Sequence, residues 1–160
     1  MKASSRLTSG KAIVWGGLIA GVLDAIDGVI AFGFKGLNPV QVLDYIASGA
    51  LGAAAFQGGM AAAGVGGAFH FLIAFVAAAA YVLVSSKVKA LAEKAVPLGL
   101  LYGVAVYLFM NYVVLPLSKL APSTFSIGLF LNGVIGHALF VGLPIALYAR
   151  RSAELGGDSA

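Results

Sequence analysis

Four long apolar runs constrain this chain more than any other feature of its sequence. They cover residues 12–34, 64–84, 97–117 and 124–149, and each has at least the roughly 20 residues that an α-helix needs to cross the hydrocarbon core of a bilayer. Charged residues make up 10% of the chain and hydrophobic residues 61%, whereas soluble domains carry roughly a quarter charged residues. The sequence therefore predicts a single all-α domain, residues 1–160, built as a four-helix transmembrane bundle.

The first run follows a basic segment, which is also how a signal peptide begins. It carries Asp24 and Asp27 in its middle, however, and no clear cleavage site follows it. We therefore predict an uncleaved first span.

A fifth apolar segment, residues 39–57, contains polar residues early on, among them Asp44. Asn38 followed by Pro39 is typical of a helix N-cap with proline at the first helical position. We predict an interfacial or re-entrant helix between spans one and two, on which Asp44 faces water. A fifth span is the alternative, and it would place the two chain ends on opposite sides of the membrane.

The basic residues predict the orientation of the spans. With four spans and the N-terminus inside, the cytoplasmic segments hold Lys2, Arg6, Lys11, Lys87, Lys89, Lys94, Arg150 and Arg151, and the outer segments hold Lys35 and Lys119. This bias follows the positive-inside rule. Aromatic residues near the cytoplasmic span ends are typical of an interfacial belt: Trp15, Tyr81, Tyr102 and Tyr148. We predict a multi-pass protein of the bacterial cytoplasmic (inner) membrane with both termini in the cytoplasm.

The partners follow from the same pattern. The net charge of +4 comes from basic residues at the ends of apolar runs, where they contact anionic lipid headgroups. The bilayer is therefore the predicted partner, and nucleic acid is not. Twenty-two glycines let helix backbones approach closely, which leaves room for a homo-oligomer.

Five polar side chains interrupt the spans at similar predicted depths. A rise of about 1.5 Å per residue places Asp24 at about 16 Å from the cytoplasmic end of its span, His137 at about 18 Å, and Asp27, His70 and Asn111 at about 21 Å. Asp24, His70 and His137 each lie three or four residues from a glycine. Such small-residue stripes mark helix–helix contacts, so we predict one shared layer inside the bundle.

Ionisable side chains inside a membrane are costly, and many of them serve ion or proton pathways. Asp24 and Asp27 lie three residues apart on one helix face, and a nearby histidine could share a proton with them. The sequence therefore predicts proton or cation handling in a small transport, permeation or stress-associated protein. The alternative is a non-catalytic structural or accessory subunit in which the layer only fixes the helix register. Asn132, near the outer end of span four, is placed to hydrogen-bond across helices.

No cofactor is predicted, although two ligand sets stay open. Imidazole and carboxylate both ligate borderline metals, so His70, His137 and Asp24 are the candidates for a divalent metal. His70 and His137 come from two helices at similar depth, as bis-histidine haem ligation requires, and a membrane cytochrome is a third alternative. Cysteine is absent, and no Ser-His-Asp order, HExxH or CxxC occurs. We therefore predict no catalytic residues.

Most of the chain between residues 17 and 147 resembles a widespread group of small bacterial inner-membrane proteins, some of them classed as YagU-like. The stretches that carry the resemblance are GLIAGVLD (17–24), IASGALGAAAFQGG (46–59), HFLIAF (70–75), YGVAVYLFMNYVVLPLS (102–118) and GHALFVGLPIAL (136–147). The group has no agreed biochemical role, but its association with acid tolerance would suit a proton-responsive layer. Asp27 stands where the resemblance implies an apolar residue, so the carboxylate pair departs from the group.

Overall fold

The computed structural model describes residues 7–120 and 125–154, and within these ranges every regular element is helical. The helices are α1 (Ser9–Gly33), α2 (Pro39–Leu51), α3 (Gly59–Ser85), α4 (Lys89–Glu93), α5 (Ala95–Leu117) and α6 (Ile127–Ala153). Four of them, α1, α3, α5 and α6, are long and apolar enough to cross a membrane, which confirms the prediction of an all-α chain with four candidate spans. The predicted start of the fourth run, residue 124, lies outside the described residues.

The segment predicted as one helix over residues 39–57 consists of two elements. The side chain of Asn38 accepts a hydrogen bond from the backbone of Gln41, and the Gln41 side chain accepts one from Asn38 N, so α2 begins with a capping box. Gly52 ends α2 with φ +65°, a conformation that glycine adopts at little cost. A 3₁₀ segment, Gly52–Gln57, then leads into α3.

Two spans contain a π-helical segment directly before a proline. In α5 the segment is Met110–Val114 and the proline is Pro116; in α6 the segment is His137–Gly142 and the proline is Pro144. Proline has no N–H, and its ring collides with the carbonyl four residues earlier. The wider turn relieves that conflict, since the N–H of Leu143 bonds to the carbonyl of Ala138, five residues back. The π segments therefore keep both helices continuous to their ends.

The interior is built from small residues, and the large aliphatic side chains lie outside. The main buried cluster consists largely of alanines, with Tyr81, Val82, Val141 and Ile145. Among the exposed residues are Val22, Ile26 and Ile30 of α1, Leu72 and Val76 of α3, and Leu131, Ile135 and Leu139 of α6. A chain that folds in water buries such side chains, whereas helices in lipid pack through small residues and leave the large ones at the surface.

Glycines set the closest approaches between helices. A Cβ on Gly103 would collide with the backbone carbonyl of His137, and a Cβ on Gly142 would collide with the carbonyl of Gly99. Helices α5 and α6 therefore touch backbone to backbone. In the same way the carbonyl of Leu43 packs directly against Gly66 of α3, where a Cβ would collide with it. This close contact docks α2 onto α3.

The aromatic residues predicted as an interfacial belt divide into two kinds. Trp15 is 49% exposed, as the belt requires, and Tyr148 stacks under the guanidinium of Arg151 at 5.5 Å. Tyr81 and Tyr102 face inward instead: their hydroxyls donate to the carbonyls of Leu91 at 3.0 Å and Ala77 at 2.8 Å. The belt prediction is wrong for Tyr81, which is 3% exposed, while Tyr102 is half-buried and its hydroxyl bonds to α3.

Candidate functional site

A cleft of about 960 Å³ lies between the helices, beside the C-terminal half of α1. Its floor includes Ala77 and Val141, which also belong to the main buried cluster. Its lining extends to Lys35 and Phe125, both exposed. The bundle is thus closed at the end where α1 begins and open at the end where α1 stops.

All five polar residues predicted to share a layer line this cleft: Asp24, Asp27, His70, Asn111 and His137. Asn132 lines it as well. The side chains come from all four long helices, as predicted. They meet as separate pairs, however, and not as one continuous network.

The first pair joins α1 to α6 through Asp24 and His137. Oδ1 of Asp24 lies 3.5 Å from Nδ1 of His137, and the two side chains are 21% and 22% exposed. This distance is longer than a hydrogen bond, and Nδ1 of His137 is buried without a hydrogen-bond partner. The two groups are therefore neighbours in the cleft, and no hydrogen bond joins them.

The second pair also joins α1 to α6. Nδ2 of Asn132 donates to Oδ2 of Asp27 at 2.8 Å, which confirms that Asn132 bonds across helices. Gly136 provides the room for this contact, since a Cβ there would lie 2.5 Å from Oδ2 of Asp27. The Asp27 carboxylate is thus held in place, whereas that of Asp24 has no hydrogen bond among the residues that the structure describes.

His70 joins α3 to α1. Its Nε2 lies 2.7 Å from the carbonyl oxygen of Gly21, and because a carbonyl only accepts, Nε2 carries the proton and donates it. The same atom would have to leave this bond before it could bind iron or another metal. Gly21 lies three residues before Asp24, so His70 contacts α1 one turn from the Asp24–His137 pair.

Asn111 is less engaged with the other helices. Its amide donates to the carbonyl of Tyr107, four residues earlier in the same helix, at 2.9 Å. The Tyr107 ring instead makes the contact with α6: it packs edge-on against His137 with 5.3 Å between ring centroids. Gly133 leaves the space for that ring. Tyr107 is not among the residues predicted from the sequence, although its position four residues before Asn111 puts both on one helix face.

The candidate metal ligands do not form one ligand set. Among residues 7–120 and 125–154 no three His, Cys, Asp or Glu side chains are close enough to hold a metal ion together. His70 and His137 each have their own contacts on α1, to Gly21 and to Asp24.

Asp44 lies in a different place from the one predicted. It was expected to face water on α2, but it is only 4% exposed, and its Oδ1 has no hydrogen-bond partner. The reason is the close docking of α2 onto α3 at Gly66, which covers a face that the sequence pattern of α2 alone leaves open. Asp44 does not line the cleft.

No protein-family model, no curated protein and no solved structure matches this chain significantly.

Proposed function

We propose that the chain is an integral membrane protein whose spans α1, α3, α5 and α6 form a transmembrane bundle. The exposed aliphatic side chains and the interior of alanine and glycine support this arrangement. In this proposal α2 lies at the outer interface, and the positive-inside bias places both termini in the cytoplasm of a bacterial cell. The cleft then opens to the outside of the cytoplasmic membrane.

The proposed activity is the binding and transfer of protons or small cations at the floor of the cleft. The observation that carries it is the Asp24–His137 pair: a carboxylate without a hydrogen bond among the described residues faces an imidazole nitrogen that also lacks one, at 3.5 Å. Such a pair can take up a proton or a cation between its members and release it again. Asp27, fixed by Asn132, adds a second carboxylate on the same helix face.

Proton transfer through a membrane needs access from both sides. The cleft gives access from one side, and the alanine-rich cluster closes the other. A transport cycle therefore includes a second conformation in which the end of the bundle near Ala12 and Ala149 opens. The π segments of α5 and α6, which lie beside the polar residues, are the places where these helices can bend.

The test is a flux measurement on the purified chain in liposomes that contain a pH-sensitive dye. With a membrane potential imposed, we expect acidification of the lumen, and we expect Asp24→Asn to reduce the rate to that of empty liposomes. Glu93→Gln is the matched control, because it removes an exposed carboxylate on α4, far from the cleft, and should leave the rate unchanged. An absence of flux for protons, sodium and potassium would contradict the proposal.

A structural role is the second candidate, and two contacts favour it. The bonds from Asn132 to Asp27 and from His70 to the Gly21 carbonyl link α1 to α6 and α3. Polar contacts of this kind fix the rotation of one helix against another. In that case the wild-type chain would show no flux above that of empty liposomes, and Asp24→Asn would leave its stability unchanged. Variants at Asn132 or His70 would lower the stability.

A further inference from the structure

We propose that the cleft binds an amphipathic, monovalent organic cation, whose charged group lies at Asp24 and Asp27 and whose apolar body fills the rest of the cleft. This inference rests on the proposed function and extends it from protons and small cations to an organic cation. The size, the charge and the lining of the cleft support it separately.

Size is the first argument. Sites for drug-sized molecules have volumes of roughly 300–1,000 Å³, and this cleft, at about 960 Å³, lies at the upper end of that range. A proton or a bare metal ion occupies a small fraction of such a space. The cleft is therefore large enough for an organic molecule that extends from the carboxylates towards Lys35 at the mouth.

Charge is the second argument. Asp24 and Asp27 lie three residues apart, about 4.5 Å along the axis of α1, so both carboxylates can face one bound cation. Lys35 is the basic residue that lines the cleft. It is exposed and follows the end of α1 at Gly33, which is itself about 9 Å along the helix axis from Asp27, so water and salt screen its charge from the floor. The floor favours a cation over an anion.

The lining is the third argument. Most of the side chains around the cleft are aliphatic or aromatic. Two pairs of aromatic rings are among them: Phe32 of α1 with Tyr45 of α2, at a centroid distance of 5.5 Å, and Phe130 of α6 with Tyr107 of α5, at 5.9 Å. Such rings offer apolar contact area, and their faces attract organic cations. A strongly hydrated inorganic ion would gain little from this surface.

The probe for the test is tetraphenylphosphonium, and the matched control ligand is tetraphenylborate, an anion of nearly the same size and shape. We expect the purified full-length chain in mild detergent to bind the phosphonium saturably, as measured by equilibrium dialysis, and not to bind the borate. The partition of each ion into protein-free detergent micelles is measured separately and subtracted. Equal binding of the two ions would overturn the inference.

Variants locate the site. Asp24→Asn and Asp27→Asn should each weaken phosphonium binding by about tenfold or more, and the double variant should abolish it. Glu93→Gln should bind as the wild type does, and each variant is accepted only if its elution volume and helical circular dichroism are unchanged. If either aspartate variant fails to fold, the pH dependence of phosphonium binding to the wild-type chain is measured instead, because protons compete for the carboxylates. Binding that changes neither with pH nor in the aspartate variants that do fold would overturn the inference.

The outcome separates the two proposals. Proton flux in liposomes without any phosphonium binding would leave the proposed function standing and overturn this inference. Phosphonium binding that requires Asp24, without any flux, would support the cation site and contradict the transport activity.

Discussion

The two carboxylates of α1 lie one turn apart but in different surroundings. Asp27 accepts a hydrogen bond from Asn132, while Asp24 faces a histidine nitrogen at 3.5 Å. At low dielectric a hydrogen bond to a carboxylate is strong, and a carboxylate without one gains more from binding a ligand. Oδ2 of Asp27 therefore fixes the packing of α1 against α6, whereas its Oδ1 and the carboxylate of Asp24 stay available to a ligand in the cleft.

This division predicts the effect of removing the Asn132 amide. Asn132→Leu removes the donor to Oδ2 of Asp27, a half-buried acceptor that lines the cleft, and the loss of such a hydrogen bond costs roughly 0.5–1.5 kcal/mol. We expect the free energy of unfolding, measured by titration with SDS from mild detergent, to fall by that amount. Asn111→Leu is the matched control, because its amide bonds only within α5; equal losses for the two variants would refute the assignment.

At this scale the sequence identified the residues of the cleft but not their pairing. Hydropathy and helical spacing were enough to select Asp24, Asp27, His70, Asn111 and His137, because a polar residue in an apolar run is conspicuous. The pairing depends on helix rotation, and a rotation that moves a side chain by a few ångströms leaves the sequence pattern unchanged. The burial of Asp44 was missed for a related reason, since it depends on the docking of α2 onto a glycine of α3.

Among the helices, the π segment of α6 shows the same contrast: residue spacing predicts the helix, and packing determines its local form. A proline within a helix, such as Pro144 in α6, disturbs the helical hydrogen bonds, but the sequence does not say how the helix adapts. The structure has a π segment over His137–Gly142 rather than a sharp break. One extra residue in a helical turn rotates the part of the helix before that turn relative to the part after it. The π segment of α6 therefore sets the direction in which His137 points.

We therefore predict that Pro144→Ala changes the site more than it changes the fold. Alanine restores the missing N–H and favours a regular α-helix, which would turn His137 away from Asp24. We expect proton flux to fall severalfold while the resistance of the chain to SDS is equal to or greater than that of the wild type.

The control for this variant is Pro97→Ala. Pro97 lies in the first turn of α5, where proline removes no helical hydrogen bond, so its replacement should leave flux unchanged. If Pro144→Ala retains full activity, the π segment does not position His137.

On the scale of the whole molecule, the closed and open ends of the bundle determine what a topology experiment must show. Lys35 lies at the open end, after α1, and Lys87 lies at the closed end, after α3. Both are exposed. The chain has no cysteine, so a single introduced cysteine is a specific label.

We expect Lys35→Cys to react in intact cells with a maleimide that cannot cross membranes, and Lys87→Cys to react only after the membrane is made permeable. The physical reason is the bias of basic residues towards the closed end. Reaction of both variants in intact cells would contradict the proposed orientation. Reaction of Lys87→Cys alone would mean that the cleft opens towards the cytoplasm.

The glycines at the contact of α5 with α6 have a consequence for how this protein can diverge. At Gly99, Gly103 and Gly142 even one added methyl group would strike backbone or a neighbouring Cβ, whereas the exposed valines and leucines can be exchanged for one another at little cost. Selection should therefore hold the glycine spacing fixed while most of the remaining sequence drifts. Distant relatives of this chain should be recognisable by the spacing of these glycines after overall identity has been lost.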